Sequence, residues 1–280
     1  MQECVLTLSC PDRPGIVHAV SGFFAARECN ILDSQQYGSP RTATFFLRMH
    51  VDSTVPIDRL RDEFCAVADA FTMTWQLHAG DETPRILVLV SREGHCLNDL
   101  LYRWRSGYLP GAVSAVVSNH LDLEPLARSY DVPFHHLPVT PETRGEQESQ
   151  LLELVDTLDI DLVVLARYMQ VLSPELCDAL PGRVINIHHS FLPSFRGGRP
   201  YDQAYQHGVK LIGATAHYVT AALDEGPIIE QEVARVGHAH EPEQLAAVGR
   251  DLECVALARA VRWHLEHRVL LDGQRTVVFP

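Results

Sequence analysis

Two short stretches constrain the fold more than anything else in this chain: Ile86-Leu87-Val88-Leu89-Val90 and Leu162-Val163-Val164-Leu165, with a third β-branched run at Val184-Ile185-Asn186-Ile187-His188. The first two are continuously apolar where a half-exposed strand would alternate, and all three are far too short to cross a bilayer. Such runs belong to strands covered on both faces, as in a parallel sheet packed between helices. The segments between them supply those helices. Cys96 to Arg105, Glu124 to Tyr130 and Glu146 to Leu158 carry helical patterning, and Ser173-Pro174 is a helix start with proline at its first position. Ala112 to Ser118 and Pro133 to Leu137 read as further strands. The expected architecture over residues 81–280 is a doubly wound, mostly parallel α/β sheet, with ligands at the carboxyl ends of its strands. Beyond Val219 the pattern predicts an outer strand at Ile228 to Val236, a long helix from Glu243 to His267 and a final strand at Thr276 to Phe279.

Residues 1–80 read as a separate module in the order βαββαβ. Glu3 to Cys10 has strand period, and Pro11-Asp12-Arg13-Pro14-Gly15 breaks it. Ile16, Val20, Phe23 and Phe24 then share a helix face. Cys29 to Tyr37 and Thr42 to Val51 form a hairpin whose second strand alternates, with Phe45, Leu47, Met49 and Val51 on one apolar face. A helix carrying Leu60, Phe64, Val67 and Ala68 follows, then a strand through Met73, Trp75 and Leu77. The expected result is a ferredoxin-like, four-stranded antiparallel sheet with two helices on one face. The polar cluster Gly80-Asp81-Glu82-Thr83-Pro84 marks the boundary.

Composition narrows the function classes. A hydrophobic fraction of 46% with 21% charged residues is that of a soluble globular protein. The net charge of −13 disfavours unassisted binding to nucleic acid or an anionic membrane. Met1-Gln2-Glu3-Cys4 has neither the basic start nor the apolar core of a signal peptide. Seven cysteines are scattered without a CxxC pair, which predicts reduced, small hydrophobes and a cytoplasmic chain.

The chemistry concentrates between Asn186 and Gly226. Asn186 and His188 stand two apart at the end of a strand and so project the same way. A second apolar run, Ile212 to Val219, leads into Leu223-Asp224-Glu225-Gly226-Pro227, a turn that can bring Asp224 to a neighbouring strand end. An imidazole that exchanges protons near neutrality, a carboxylate to orient it and an amide to meet an oxyanion suit addition of water or an amine to a carbonyl. The plainer alternative is that His188 ends a strand and Asp224 occupies a turn. His217 has the strand phase to join them, whereas His189 is expected to face away. His135-His136 and His238-x-His240 lack the ordered spacing of a metal site, so no metal is expected.

Asn186-Ile187-His188, the Leu192-Pro193 loop with Gly197, and Leu223 to Pro227 resemble the formyltransferase family that uses 10-formyltetrahydrofolate. Val164 to Gln170, Asn186 to Pro193, Gly213 to Val219 and Gly94 to Leu101 resemble its hydrolytic, deformylase branch. Leu8 to Val17 resembles the opening of an ACT domain, and an ACT module in front of the catalytic one is that branch's arrangement. The resemblance covers essentially the whole chain. It implies a catalytic set of Asn186, His188 and Asp224. It also implies folate held by Met169, Gln170, Val171 and Leu172 and by Tyr218, Val219, Thr220 and Leu223. The implied reaction is hydrolysis of 10-formyltetrahydrofolate to formate and tetrahydrofolate, supplying formate to one-carbon metabolism and purine biosynthesis with no cofactor. ACT resemblance implies an amino-acid effector near Asp12, Arg13, Pro14 and Gly15, and a homo-oligomer.

Two alternatives stay open: a formyltransferase with an amine acceptor, and a non-catalytic protein that binds folate or an amino acid. The turn Ser91-Arg92-Glu93-Gly94-His95-Cys96 has one glycine and an acidic residue, which disfavours a phosphorylated acceptor and favours water. The basic loop with Arg196 and Arg199 is given no contact.

Overall fold

Alternation in the first eighty residues and continuity in the later runs produce two different sheets. The computed structural model describes residues 2–192 and 200–280, without the Pro200 side chain. The segment with Pro193, Arg196, Gly197 and Arg199 lies outside the described residues. The chain forms two units, residues 1–82 with 267–280, and residues 83–266.

In the first unit the elements are β1 (Gln2–Pro11), α1 (Ile16–Ala25), β2 (Asn30–Ser39), β3 (Thr44–Ser53), α2 (Ile57–Phe71) and β4 (Thr74–Ala79), with sheet order β2-β3-β1-β4. All three pairings are antiparallel, and Leu6 sits opposite both Met49 and Leu77. Period-2 alternation sends Cys4, Leu6, Leu8 and Cys10 to the same face as Phe45, Leu47, Met49 and Val51, where Val20, Phe24, Leu60 and Phe64 cover them. Phe64 sits edge-on to Phe23 at 5.1 Å and to Trp75 at 4.8 Å between ring centroids. The Asp12–Gly15 turn enters α1 through Gly15 at φ 97°, a left-handed conformation that favours glycine. There the Arg13 guanidinium lies 4.4 Å over the Phe71 ring.

The second unit runs β5 (Arg85–Val90), α3 (His95–Arg105), β6 (Ala112–Ser118), α4 (Glu124–Ser129), β7 (Phe134–His136), α5 (Arg144–Thr157), β8 (Leu162–Leu165), α6 (Pro174–Ala179), β9 (Val184–His188), α7 (Pro200–Gln206), β10 (Leu211–Tyr218), β11 (Ile228–Arg235) and α8 (Pro242–Leu265). Its sheet has the order β11-β10-β9-β8-β5-β6-β7. The pairings from β9 to β7 are parallel, while β10 and β11 are antiparallel additions at one edge. Leu87 and Leu89 pack with Leu151 and Val155 of α5 and Leu176 of α6. Val88 and Val90, pointing the other way, are at most 1% exposed, so both faces are covered. Ser173 caps α6 by accepting from the Leu176 N–H at 3.1 Å, and a Glu241–Gln244 capping box opens α8.

The chain winds outward from β5 through β6 to β7, then returns to place β8 on the other side of β5. That reversal opens a crevice at the carboxyl ends of β5 and β8. Ser91, just past β5, ties the two ends together. Its hydroxyl accepts from the Met169 N–H at 2.9 Å and donates to Asn119 Oδ1 at 2.8 Å.

The final strand expected for the larger domain is a correction. β13 (Arg275–Val278) pairs with β12 (Val269–Asp272), a strand the sequence did not announce, as a separate hairpin grouped with the first unit. The Ser39 hydroxyl donates to Asp272 at 3.2 Å, and His78 stacks on His267 at 3.5 Å. These partners lie far apart in sequence, where periodicity is silent. Among the described residues no helix is long and apolar enough to cross a membrane, and all seven cysteines are unpaired.

Truncating Phe64 to Ala removes a ring that is 1% exposed from the first unit's core. The expected cost is about 3–5 kcal/mol of that unit's stability, read as faster hydrogen exchange of the β1 and β3 amides.

Candidate functional site

The site is built outward from β9. Asn186 and His188 project to one side of that strand. The antiparallel register places His217 opposite Asn186 and Thr215 opposite His188. Directly opposed residues share a face, so these four side chains converge. Thr215 is fully buried and fixes the chain as it leaves β9. Its hydroxyl donates to Ser190 O at 2.9 Å and accepts from Leu192 N at 3.1 Å and Gln231 Nε2 at 3.1 Å.

The loop from β10 to β11 then supplies the carboxylate. It closes with the Tyr218 N–H donating to Pro227 O at 2.9 Å, and Gly226 lies so near that a Cβ there would overlap the Tyr218 carbonyl oxygen. No other residue fits without displacing that backbone. Asp224 adopts φ 55°, the left-handed conformation, as backbone strain held by a functional loop. Its Oδ2 lies 3.4 Å from His188 Nδ1 and its Oδ1 lies 3.8 Å from His217 Nε2. The hydrogen bond from His188 holds the Asp224 carboxyl below the usual carboxylate range, against partial burial that pushes it up.

His217 has a defined tautomer. Its Nδ1–H donates to the Tyr218 carbonyl at 2.9 Å, which leaves Nε2 as the acceptor for the Asn186 amide N–H at 3.2 Å. Burial pushes its pKa below the ordinary imidazole value, consistent with a neutral ring. His217 thus orients the Asn186 amide, whose second N–H remains for a ligand. His188 Nε2 is buried with no hydrogen-bond partner among the described residues, although Nδ1 faces Asp224. A buried polar nitrogen of this kind is where a reacting molecule completes the hydrogen bonding.

A cavity of about 450 Å³ opens beside these groups. Asn186, His188, His217 and Asp224 line it, as do Met169, Gln170, Val171, Leu172, Val219, Thr220 and Leu223. Met169, Val171 and Leu223 are each more than half exposed, presenting an unusually apolar wall.

Tyr218 does not join them. As the strand neighbour of His217 it points to the opposite face, and its hydroxyl bonds His264 at 2.8 Å. His189 differs from expectation in the other direction. β9 ends at His188, so strand alternation does not extend to His189. Its ring stacks on His188 at 4.9 Å with 19° between planes and lines the cavity. Arg167, at φ 65° just past β8, also lines it and was not singled out from the sequence. It falls within the Val164 to Gln170 run that carries the family resemblance, but no periodicity marks a residue in that conformation outside helix and strand.

Neither histidine pair considered for a metal is part of a ligand cluster among the described residues. The group that is close enough comprises His95, Cys96 and Glu253. There the carboxylate is already matched by the Arg167 guanidinium, with Nε 3.4 Å from Oε2, so the cluster reads as an ion-pair network.

The sequence profile described as formyl transferase matches residues 84–261, and the ACT domain profile matches residues 5–69. A formyltetrahydrofolate deformylase from Corynebacterium sp. (strain P-1) is 51% identical over 98% of this chain and 97% of its own length. The crystal structure of a formyltetrahydrofolate deformylase from Burkholderia mallei superposes with a TM-score of 0.96 at 50% identity, covering 100% of both chains. Glycinamide ribonucleotide transformylase 1 from Symbiobacterium toebii shares 34% identity with a TM-score of 0.67, covering 73% of this chain and 98% of its own. The relatives that match from end to end are deformylases, whereas the transformylase leaves about a quarter of the chain unmatched. On that full-length identity the chain belongs to the formyltetrahydrofolate deformylase family.

Proposed function

We propose that the protein is a hydrolase that converts 10-formyltetrahydrofolate and water into formate and tetrahydrofolate. The observation that carries this reading is the convergence of Asn186, His188 and Asp224 on one cavity, with His188 Nε2 still open to a partner. Asp224 and His188 position a water, whose proton passes to the Asp224 carboxylate as the water oxygen bonds to the formyl carbon. The Asn186 amide and the protonated His188 ring stabilise the oxyanion that develops. Collapse breaks the bond from carbon to N10, which takes a proton as tetrahydrofolate departs. Met169, Val171 and Leu223 offer apolar surface to the folate rings, with Gln170 and Thr220 as polar neighbours. The chemistry requires no cofactor in this reading.

The similarity to a transformylase keeps one second reading in view, transfer of the formyl group to an amine. The finer assignments belong to the same proposal. An amino-acid effector near Asp12 to Gly15, a homo-oligomer, a cytoplasmic location and formate supply to purine biosynthesis are what an ACT-containing deformylase would have.

Formate release by purified protein separates the readings. Stoichiometric formate and tetrahydrofolate without any acceptor, insensitive to a chelator, is the expected result. Turnover confined to reactions with an added amine would make the protein a transferase.

Asp224→Asn keeps the shape of the side chain and removes its charge. The expected loss in kcat is about 100-fold or more with an unchanged circular dichroism spectrum. Wild-type-like turnover would remove Asp224 from the chemistry.

The pH profile provides a further check. Because the Asp224 carboxyl is held below its ordinary value, the folded protein keeps it ionised further into acid than an unfolded chain would. Its stabilising contribution is present above the unfolded pKa and is lost as pH falls through the lower, folded value. The acid limb of kcat/KM should therefore lie below the usual carboxylate range, and a limb above it would contradict this assignment.

A further inference from the structure

Beside Arg167, which lines the cavity, lies a carboxylate that the reaction scheme does not use. Glu253, on α8, is 1% exposed. A charge so deeply buried persists only when it is fully paired. Its partners come from three separate elements. His95 Nε2, at the start of α3, donates to Oε2 at 2.7 Å, and the Tyr201 hydroxyl, on α7, donates to Oε1 at 2.8 Å. The Arg167 Nε lies 3.4 Å from Oε2. Gly249, one turn earlier on α8, has no side chain where the Tyr201 hydroxyl passes. Burial pushes the Glu253 carboxyl up, but the His95 hydrogen bond, the Arg167 charge and the Tyr201 hydrogen bond outweigh it, so it stays ionised.

Arg167 continues this network toward the reacting groups. Its Nη1 donates to His189 Nδ1. A guanidinium stays charged, so the bond leaves His189 Nδ1 without a proton and the ring neutral. That ring is the one stacked on His188. The charged and titratable groups around His188 are therefore Asp224 from the β10–β11 loop, His217 from β10, its neighbour His189, and Arg167 beyond His189. Around Glu253 they are His95, Cys96, Tyr201, Arg167 and the more distant Arg250.

The geometry points to Glu253 as a positioning residue for the deformylase reaction. Through Arg167 it keeps His189 neutral and stacked on His188, and it cancels the guanidinium charge that would otherwise oppose a proton on His188. This rests on the proposed function, in which His188 must carry a proton while the oxyanion forms.

The test compares kcat/KM against pH for the wild type, Glu253→Gln, Arg167→Met and the double variant, each checked for folding by circular dichroism. Glu253→Gln leaves the guanidinium uncompensated, so the alkaline limb should move to lower pH by about half a unit, and kcat should fall about tenfold. Arg167→Met leaves the carboxylate uncompensated, so the limb should move upward. The double variant, lacking both charges, should return the limb to near the wild-type position with kcat still reduced. A limb that stays at the wild-type position in both folded single variants would overturn the inference, because a merely structural role lowers activity without moving it. Should Glu253→Gln not fold, Arg167→Met decides the matter alone. The His188 imidazole is also titrated by NMR in the same proteins. An enzyme that released no formate would sink the functional reading, while opposite shifts of His188 in the two variants would still support the network and equal values would refute it.

Discussion

The antiparallel register between β9 and β10 governs the rest of the site. Because β10 runs antiparallel to β9, the chain leaving Tyr218 passes Ile185 and Val184, and the loop that follows brings Asp224 to His188. With Asn186 opposite His217 and His188 opposite Thr215, two imidazoles, an amide and a hydroxyl share one face. A register slip of one residue would turn His217 to the far side and bring Tyr218 in its place. The buried hydroxyl of Thr215, with its three hydrogen bonds, opposes such a slip, because moving it would leave buried groups unsatisfied.

The loop that returns Asp224 depends on that register in turn. It closes only because Gly226 can approach the Tyr218 carbonyl, and it holds Asp224 in a left-handed conformation. The resulting ion pair with His188 is worth something because its surroundings are largely dehydrated, with both side chains less than a fifth exposed. The same dehydration keeps His217 neutral, and a neutral His217 accepts the Asn186 hydrogen bond. Carboxylate, proton carrier and amide donor are thus fixed by one backbone arrangement, with little left to reorganise when charge develops.

Much of this was legible in the sequence, for identifiable reasons. The apolar runs around Val88 and Val163 could only be strands buried on both faces, and the alternation from Phe45 to Val51 could only face one core. The spacing of Asn186 and His188 is a property of any strand, so their convergence followed without knowledge of the partner strands. Strand sense is not written in apolar periodicity, and the antiparallel edge formed by β10 and β11 could not be read from it. Strand alternation points His189 away from the cavity, but it stops with β9 at His188 and does not govern the next residue. The family resemblance implies a place for Tyr218 at the cavity, whereas the alternation that points His217 there turns its neighbour to the other face. Arg167, Glu253 and the β12–β13 hairpin depend on contacts between residues distant in sequence, which no local pattern records.

The division between hydrolysis and transfer is set beside the reactive groups rather than within them. Deformylases and a transformylase share this fold, so strand order and sheet twist do not choose the acceptor. What distinguishes acceptors is which groups stand around the formyl carbon and how much charge they carry. In this chain the strand ends that flank the cavity are occupied by its own side chains. Ser91 binds the backbone of Met169, Arg167 binds His189, and Glu253 gathers His95, Tyr201 and Arg167. Much of the hydrogen-bonding capacity of those side chains is thereby committed to internal partners. Water, which needs neither a shaped pocket nor a charged anchor, is the acceptor such an arrangement favours.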